Sequence, residues 1–138
     1  MNPQSLIDTG FMFAVLDSSD EYHVDCAKAY KNIRNAFLPE TVLPELAFLL
    51  LRENKIKNLT DFLHYLADGN LNIISTETQD LKRAAEILEK YADSRVDFVD
   101  CVIVAIAERL NIKRILTVDR RHFNLFRPRH CDRFEILP

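Results

Sequence analysis

Four carboxylates stand where a short, apolar, β-like segment gives way to a helix-like pattern, and their placement constrains the fold strongly. Asp8 and Asp119 directly follow apolar segments, whereas Glu45 and Asp100 open helical patterns. Alternating strands and helices of these lengths are typical of a parallel sheet with right-handed crossovers and helices on both faces. In such a sheet the carboxyl ends of the strands share one edge, and functional sites lie there. The sequence therefore predicts an α/β fold with an acidic pocket at that edge.

The apolar periodicity outlines the elements of this fold. It predicts a three-layer α/β/α sandwich with a central, mainly parallel sheet of four to five strands. The strands are expected near residues 4–8, 37–42, 71–75, 115–118 and 134–137. The helices are expected near residues 10–17, 22–36, 44–54, 60–67, 77–91 and 97–110, and the last of these is apolar enough to be buried.

Length, charge and cysteine content limit the class of protein. A chain of 138 residues that is 48% hydrophobic suits one compact domain, which we expect to span residues 1–138. The net charge of -3 excludes a broadly basic surface, so a nucleic-acid substrate would require metal ions to compensate its phosphates. The three widely spaced cysteines and the lack of a signal-peptide pattern favour the cytoplasm. No apolar stretch approaches the length of a membrane span.

Several familiar cofactor sites are excluded by composition. The two glycines, Gly10 and Gly69, are too far apart for a Walker loop or a G-x-G-x-x-G turn. The four histidines, His122 among them, lack a regular ligand spacing, which argues against a zinc site. Carboxylates without a usable set of cysteines and histidines suit hard cations such as Mg²⁺ or Mn²⁺.

Three of the four carboxylates also have a purely structural interpretation. Asp8 and Asp119 fit helix N-caps, which stabilise a helix by about 1 kcal/mol, and for either residue alone the two interpretations have equal weight. Glu45 follows Pro44 in a first helical turn, where the helix dipole favours a carboxylate without any further role. Taken one at a time, these residues do not decide between capping and chemistry.

Asp97 and Asp100 lie three residues apart and so share one face of the predicted buried helix. Asp97 fits a capping pair with Ser94 and is the more structural of the two. Asp100 directly precedes the apolar run 101–107, and a buried carboxylate needs a partner or a cation. Asp100 is therefore the stronger candidate for a functional residue.

The order of these segments resembles the PIN-domain ribonuclease family over nearly the whole chain. The resemblance rests on four segments: Leu6-Ile7-Asp8-Thr9, Leu43-Pro44-Glu45-Leu46, residues 98–110 (FVDCVIVAIAERL) and residues 115–123 (ILTVDRRHF). A chain of this size is most similar to the toxin of VapBC toxin–antitoxin modules. Cys101 stands where the family usually has Ala, and Gly10 where it usually has Ser or another small polar residue.

The resemblance implies a Mg²⁺- or Mn²⁺-dependent endoribonuclease in which a metal-activated water attacks the RNA. It implies that the catalytic residues and metal ligands are Asp8, Glu45, Asp100 and Asp119. Asp97 is expected close by as a supporting residue, and the sequence leaves open whether it binds the metal or only caps the helix.

Four further residues flank these carboxylates in the sequence. Thr9 and Thr117 either place a hydroxyl beside a ligating carboxylate or serve only as β-branched residues at strand ends. Arg120 and Arg121 either hold a non-scissile phosphate or form a solvated basic turn. The residues themselves leave both pairs of alternatives open.

The resemblance also implies RNA as the substrate, a cognate antitoxin protein as partner, a homodimer and no association with a membrane. The alternative is a catalytically silent PIN-fold interaction module or a housekeeping RNA-processing nuclease. The presence of all four carboxylates favours the enzyme, because a binding module has no need to bear their mutual repulsion.

Overall fold

A computed structural model describes residues 3–138 and contains a five-stranded sheet in which all paired strands are parallel. The strands are β1 (Gln4–Ile7), β2 (Asn35–Pro39), β3 (Asn72–Ile74), β4 (Arg114–Leu116) and β5 (Glu135–Leu137). Their order across the sheet is β3-β2-β1-β4-β5. The predicted α/β class with a parallel sheet of four to five strands is thereby confirmed.

Helices connect the strands as crossovers. They are α1 (Thr9–Leu16), α2 (His23–Asn32), α3 (Val42–Arg52), α4 (Ile56–Ala67), α5 (Thr78–Lys90), α6 (Phe98–Leu110) and α7 (Arg120–Leu125), with a 3₁₀ turn at Ala92–Ser94. Across residues 3–138, no helix is both long and apolar enough to cross a bilayer.

The strand β1 lies in the middle of the sheet and sets the position of the carboxyl edge. Leu6 and Ile7 are fully buried, as an apolar central strand covered on both faces requires. Ile7 pairs with Leu116 of β4, and the backbone N–H of Asp8 donates to the carbonyl of Leu116 at 2.9 Å. The residues that follow β1 and β4 therefore leave the sheet side by side.

Helix α6 forms the most deeply buried part of the chain outside the sheet. Its seven consecutive residues Cys101–Ala107 are all buried, which explains the continuous apolar run in the sequence. Helix α5 packs against α6 and adds ion pairs, Arg83 Nε to Glu108 at 2.7 Å and Arg109 Nε to Asp80 at 3.0 Å. These contacts hold the C-terminal end of α6 against α5.

Two boundaries differ from the sequence prediction in a way that has a physical cause. The helix expected over 22–36 ends at Asn32, and residues 35 and 36 instead form the start of β2. Asn35 and Ala36 pair with Gln4 and Ser5 of β1, a long-range partner that local periodicity does not contain. A short helix, α7, also follows Asp119, where the sequence left a basic turn open as an alternative.

Candidate metal centre at the carboxyl edge of the sheet

Asp8 is the residue directly after β1 and is only 6% exposed. Its Oδ1 accepts from the backbone N–H of Thr9 at 2.8 Å, so it is the N-cap of α1. Its Oδ2 accepts from the Thr117 hydroxyl at 2.7 Å, and the same hydroxyl accepts from the backbone N–H of Asp119 at 2.9 Å. Thr117 thus joins the chain after β1 to the chain after β4 and orients the Asp8 carboxylate.

Asp97 and Asp100 open helix α6. Asp97 is the N-cap, because its Oδ1 accepts from the backbone N–H of Asp100 at 2.8 Å, a role that the sequence had assigned to a pair with Ser94. Asp97 itself is exposed, whereas Asp100 is only 5% exposed and has an apolar run behind it. The helix therefore presents one exposed and one buried carboxylate at its first turn.

Asp119 and His122 lie at the start of α7 and contact each other twice. Asp119 Oδ1 accepts from the backbone N–H of His122 at 3.1 Å, and Asp119 Oδ2 lies 2.8 Å from His122 Nδ1. The same Nδ1 lies 3.7 Å from Asp100 Oδ2. Ligand atoms of Asp100, Asp119 and His122 all lie within 4.8 Å of one another. These three residues come from two helices but surround a single point.

Electrostatics show that four aspartates share one region. Burial raises the pKa of Asp8 from 3.8 to about 6, against the lowering effect of its hydrogen bonds from Thr117 and Thr9, and the charges of Asp97 and Asp119 raise it further. Burial also raises the pKa of Asp100 well above its usual range, and repulsion from Asp8, Asp97 and Asp119 adds to that effect.

No lysine or arginine within residues 3–138 forms an ion pair with any of these four aspartates. Elsewhere in the fold a buried carboxylate does have such a partner: Asp17, also 6% exposed, lies 3.1 Å from Lys55 Nζ. In addition, the buried hydroxyl of Thr9, next to Asp8, has no hydrogen-bond partner among the residues that the structure describes. The negative charge of the cluster is therefore left for a cation to compensate, and the oxygen-rich donor set fits a hard divalent ion.

Glu45 is placed differently from the aspartates. It lies half-buried in the first turn of α3, which follows β2 and so starts from the same edge of the sheet. However, its carboxylate makes no hydrogen bond or ion pair with residues 3–138, and it is not among the main charges that raise the pKa values of Asp8 and Asp100. The topology therefore brings Glu45 to the same edge of the sheet as the aspartates, without a hydrogen bond to them.

The two arginines after Asp119 have different surroundings. The Arg120 guanidinium donates to the backbone carbonyl of Pro138, so its position is tied to the end of β5. Arg121 is exposed and has no hydrogen bond or ion pair with any described residue. Of these two arginines, Arg121 therefore presents the uncommitted guanidinium next to the acidic cluster.

Sequence reasoning gave His122 no role, yet the structure places it inside the cluster. A signal was available: His122 is the third residue after Asp119, so a helix starting after Asp119 puts both at its first turn. Gly10 is also explained by packing, because a Cβ there would approach Val118 Cγ2 to 3.0 Å. The close approach brings the start of α1 against the segment that carries Asp119.

Comparison with known proteins identifies the family of this chain. The family model described as PIN domain matches residues 5–126. The chain is 29% identical over 134 residues to a protein named Ribonuclease VapC26 from Mycobacterium tuberculosis, covering 96% of this chain and 99% of that protein.

Solved structures show the same fold. VapC20 of M. tuberculosis, described as a toxin that cleaves the sarcin-ricin loop, superposes with a TM-score of 0.76 at 18% identity, covering 81% of this chain and 87% of that one. A DNA-bound VapBC complex from Salmonella typhimurium gives a TM-score of 0.69 at 17% identity, with 97% and 96% of the two chains covered.

Proposed function

Because the chain belongs to the PIN domain family, we propose that it is a Mg²⁺- or Mn²⁺-dependent endoribonuclease and the toxin of a type II toxin–antitoxin pair. The observation that carries the proposal is the cluster of Asp8, Asp97, Asp100 and Asp119, which has no lysine or arginine partner among residues 3–138. A protein used only for binding gains nothing from this repulsion, whereas a metal-dependent nuclease requires it. The names Ribonuclease VapC26 and VapC20 support the same assignment.

The chain's own residues divide the work at this site. Asp8, Asp100 and Asp119 would supply carboxylate oxygens to the ion, and Glu45, which starts α3 at the same edge of the sheet, would add a fourth. A divalent cation, when bound, activates a water molecule as the nucleophile and stabilises the charge on the scissile phosphate. No side-chain nucleophile is then needed.

Other residues position these ligands and the substrate. Thr117 orients Asp8 through the hydrogen bond between its hydroxyl and Oδ2. Asp97 caps α6 and adds negative charge beside Asp100. The hydroxyl of Thr9 has no hydrogen-bond partner among the described residues, so it is available beside Asp8. Arg121 binds a non-scissile phosphate of the RNA, and Arg120 contributes charge from its fixed position.

The proposal extends to the protein's partners. The toxin is held silent by a cognate antitoxin protein and acts as a single-domain homodimer in the cytoplasm. Complexes such as the VapBC of S. typhimurium support the antitoxin partner. The free thiols of Cys26, Cys101 and Cys131 fit a reducing compartment.

The test is cleavage of structured RNA by protein freed of antitoxin, in Mg²⁺, in Mn²⁺ and in EDTA. Asp100→Ala and Asp119→Ala should each lower the rate on the order of a hundredfold or more, as comparable electrostatic deletions do. Asp61→Ala removes an exposed aspartate of α4 and should cleave at the wild-type rate. Cleavage that persists in EDTA, or that survives both substitutions, contradicts the mechanism. Silence in every metal with several RNAs favours the interaction module instead.

A further inference from the structure

His122 is held between the acidic cluster and the protein backbone by both of its ring nitrogens. Nδ1 lies 2.8 Å from Asp119 Oδ2 and 3.7 Å from Asp100 Oδ2. On the other side of the ring, Nε2 lies 3.2 Å from the backbone carbonyl oxygen of Ser94. The ring therefore has one fixed orientation, with Nδ1 directed at the carboxylates.

The Ser94 contact decides which nitrogen is available to a ligand. A carbonyl oxygen only accepts hydrogen bonds, so Nε2–H must be the donor in that contact. This leaves the Nδ1 side of the ring facing two carboxylate oxygens. Histidines that bind metals commonly have this arrangement, in which the second ring nitrogen donates to a backbone carbonyl and fixes the ring.

The distances also suit a shared ion. Ligand atoms about 2.1 Å from an octahedral ion lie about 3.0 Å apart when adjacent and about 4.2 Å apart when opposite. The separations of 2.8 Å and 3.7 Å from His122 Nδ1 to the two carboxylates fall close to this range. Ligand atoms of all three residues lie within 4.8 Å of one another, so one ion would be within reach of each of them.

We infer that His122 is a direct nitrogen ligand of this metal site and that it makes the site prefer Mn²⁺ to Mg²⁺. The preference follows from ligand chemistry, because Mg²⁺ favours purely oxygen ligands and imidazole nitrogen binds transition metals more strongly. This inference rests on the metal site proposed above and adds a ligand of a different chemical type. The other role open to His122 is that of a positioning residue, which would orient Asp119 without touching the ion.

The direct test is electron spin-echo spectroscopy of Mn²⁺ bound to the wild-type protein, freed of antitoxin. A coordinated imidazole gives a ¹⁴N hyperfine modulation, and protein labelled with ¹⁵N-histidine should lose that ¹⁴N signal. This comparison needs no substitution, so it does not depend on the folding of a variant. A signal without ¹⁴N modulation from Mn²⁺ bound to the wild type would overturn the inference.

Two substitutions then separate a ligand from a positioning residue. The amide nitrogen of His122→Asn can occupy the place of Nδ1 and donate to Asp119, whereas that of His122→Gln can occupy the place of Nε2 and donate to Ser94. If His122 is a ligand, both variants should bind Mn²⁺ at least about tenfold more weakly, the minimum usual cost of disturbing a metal ligand's surroundings. Mg²⁺ affinity should change much less. His64→Gln removes an exposed histidine of α4 and should change neither affinity.

Calorimetric titration with Mn²⁺ and Mg²⁺ gives these affinities without reference to catalysis. Equal losses for both ions, or full rescue of Mn²⁺ binding by His122→Asn, would show a positioning role and overturn the inference while leaving the metal site intact. Failure of the wild-type protein to bind either ion would overturn the proposed metal site and this inference together. The two failures are therefore distinguishable.

Discussion

Replacing Asp8 with Asn should change the stability of the metal-free protein in a pH-dependent manner. Burial holds the pKa of Asp8 at about 6, compared with an ordinary value of 3.8. Over this interval the folded state binds more protons than the unfolded state, so the wild-type protein loses stability as pH rises. The full difference corresponds to about 3 kcal/mol, of which about 1.4 kcal/mol falls between pH 5 and pH 8.

The asparagine side chain carries no charge at any of these pH values, so the variant does not lose this part of its stability as pH rises. The free energy of unfolding of Asp8→Asn minus that of the wild type should therefore increase by about 1.4 kcal/mol from pH 5 to pH 8. Asparagine cannot accept from both Thr9 and Thr117 as the carboxylate does, but this cost is nearly constant with pH and cancels from the trend. Removal of the Asp8 charge also eases the ionisation of Asp100, which acts in the same direction.

The measurement is urea unfolding in EDTA at several pH values, with Asp17→Asn as the matched control. Asp17 is the C-cap residue of the same helix and is equally buried, but its hydrogen bonds with Ser19 and its contact with Lys55 lower its pKa. Asp17→Asn should therefore destabilise the protein, with little change between pH 5 and pH 8, because its stabilising effect is already complete above the unfolded pKa. A flat or falling difference for Asp8→Asn would refute the conclusion that burial raises the pKa of Asp8.

The same variant provides a metal test. Mg²⁺ or Mn²⁺ should raise the melting temperature of the wild-type protein, because a ligand that binds only the folded state stabilises it. Asp8→Asn should lose most of this gain even though it is the more pH-resistant protein without metal. An unchanged metal response in the variant would show that Asp8 is not a ligand.

Substitutions at three further positions test individual contacts. Arg121→Ala, in an Asp100→Ala background that prevents cleavage, should reduce the salt dependence of RNA binding by about one phosphate contact, measured as the slope of log affinity against log salt. Thr117→Val should lower the free energy of unfolding by about 1–3 kcal/mol, since it removes a buried hydroxyl that serves Asp8, and urea titration measures this loss. Asp97→Ala should cost about 1 kcal/mol of stability, whereas Asp97→Asn keeps the cap, should leave the stability nearly unchanged and should weaken the binding of both Mg²⁺ and Mn²⁺ in calorimetry. Equal stability losses for both Asp97 variants would contradict the capping role.

The fold class was predictable because it depends on local patterns. Apolar segments that alternate with helical ones, and a carboxylate after each of two strands, are visible without any knowledge of contacts. The order of the strands was not predictable in this way. β1 and β4 are far apart in sequence, and their pairing, which brings Asp8 beside Thr117, depends on long-range packing.

The aspartates of the candidate site could be predicted from the sequence, but not every residue that lies beside them. The positions of Asp8, Asp100 and Asp119 follow from the ends of strands and the start of a buried helix. The spacing from Asp119 hinted at His122, but its placement also depends on a six-residue helix and on a contact with Ser94, 28 residues away, which local periodicity does not contain. The placement of Glu45 relative to the aspartates depends on how α3 packs, about which the sequence pattern carries no information.

Helix capping and metal binding were alternatives for single aspartates in the sequence. The two roles are compatible because a carboxylate has two oxygens. Asp8 and Asp119 each use Oδ1 for a helix cap and direct Oδ2 to another side chain. Asp97 caps α6 in the same way, so three helix N-termini start at the cluster. Their positive dipole ends offset part of the repulsion among the carboxylates, each by about 0.3–1 kcal/mol. Even three such contributions do not exceed the roughly 3 kcal/mol by which Asp8 alone is perturbed, so they leave negative charge at the cluster for the proposed cation to compensate.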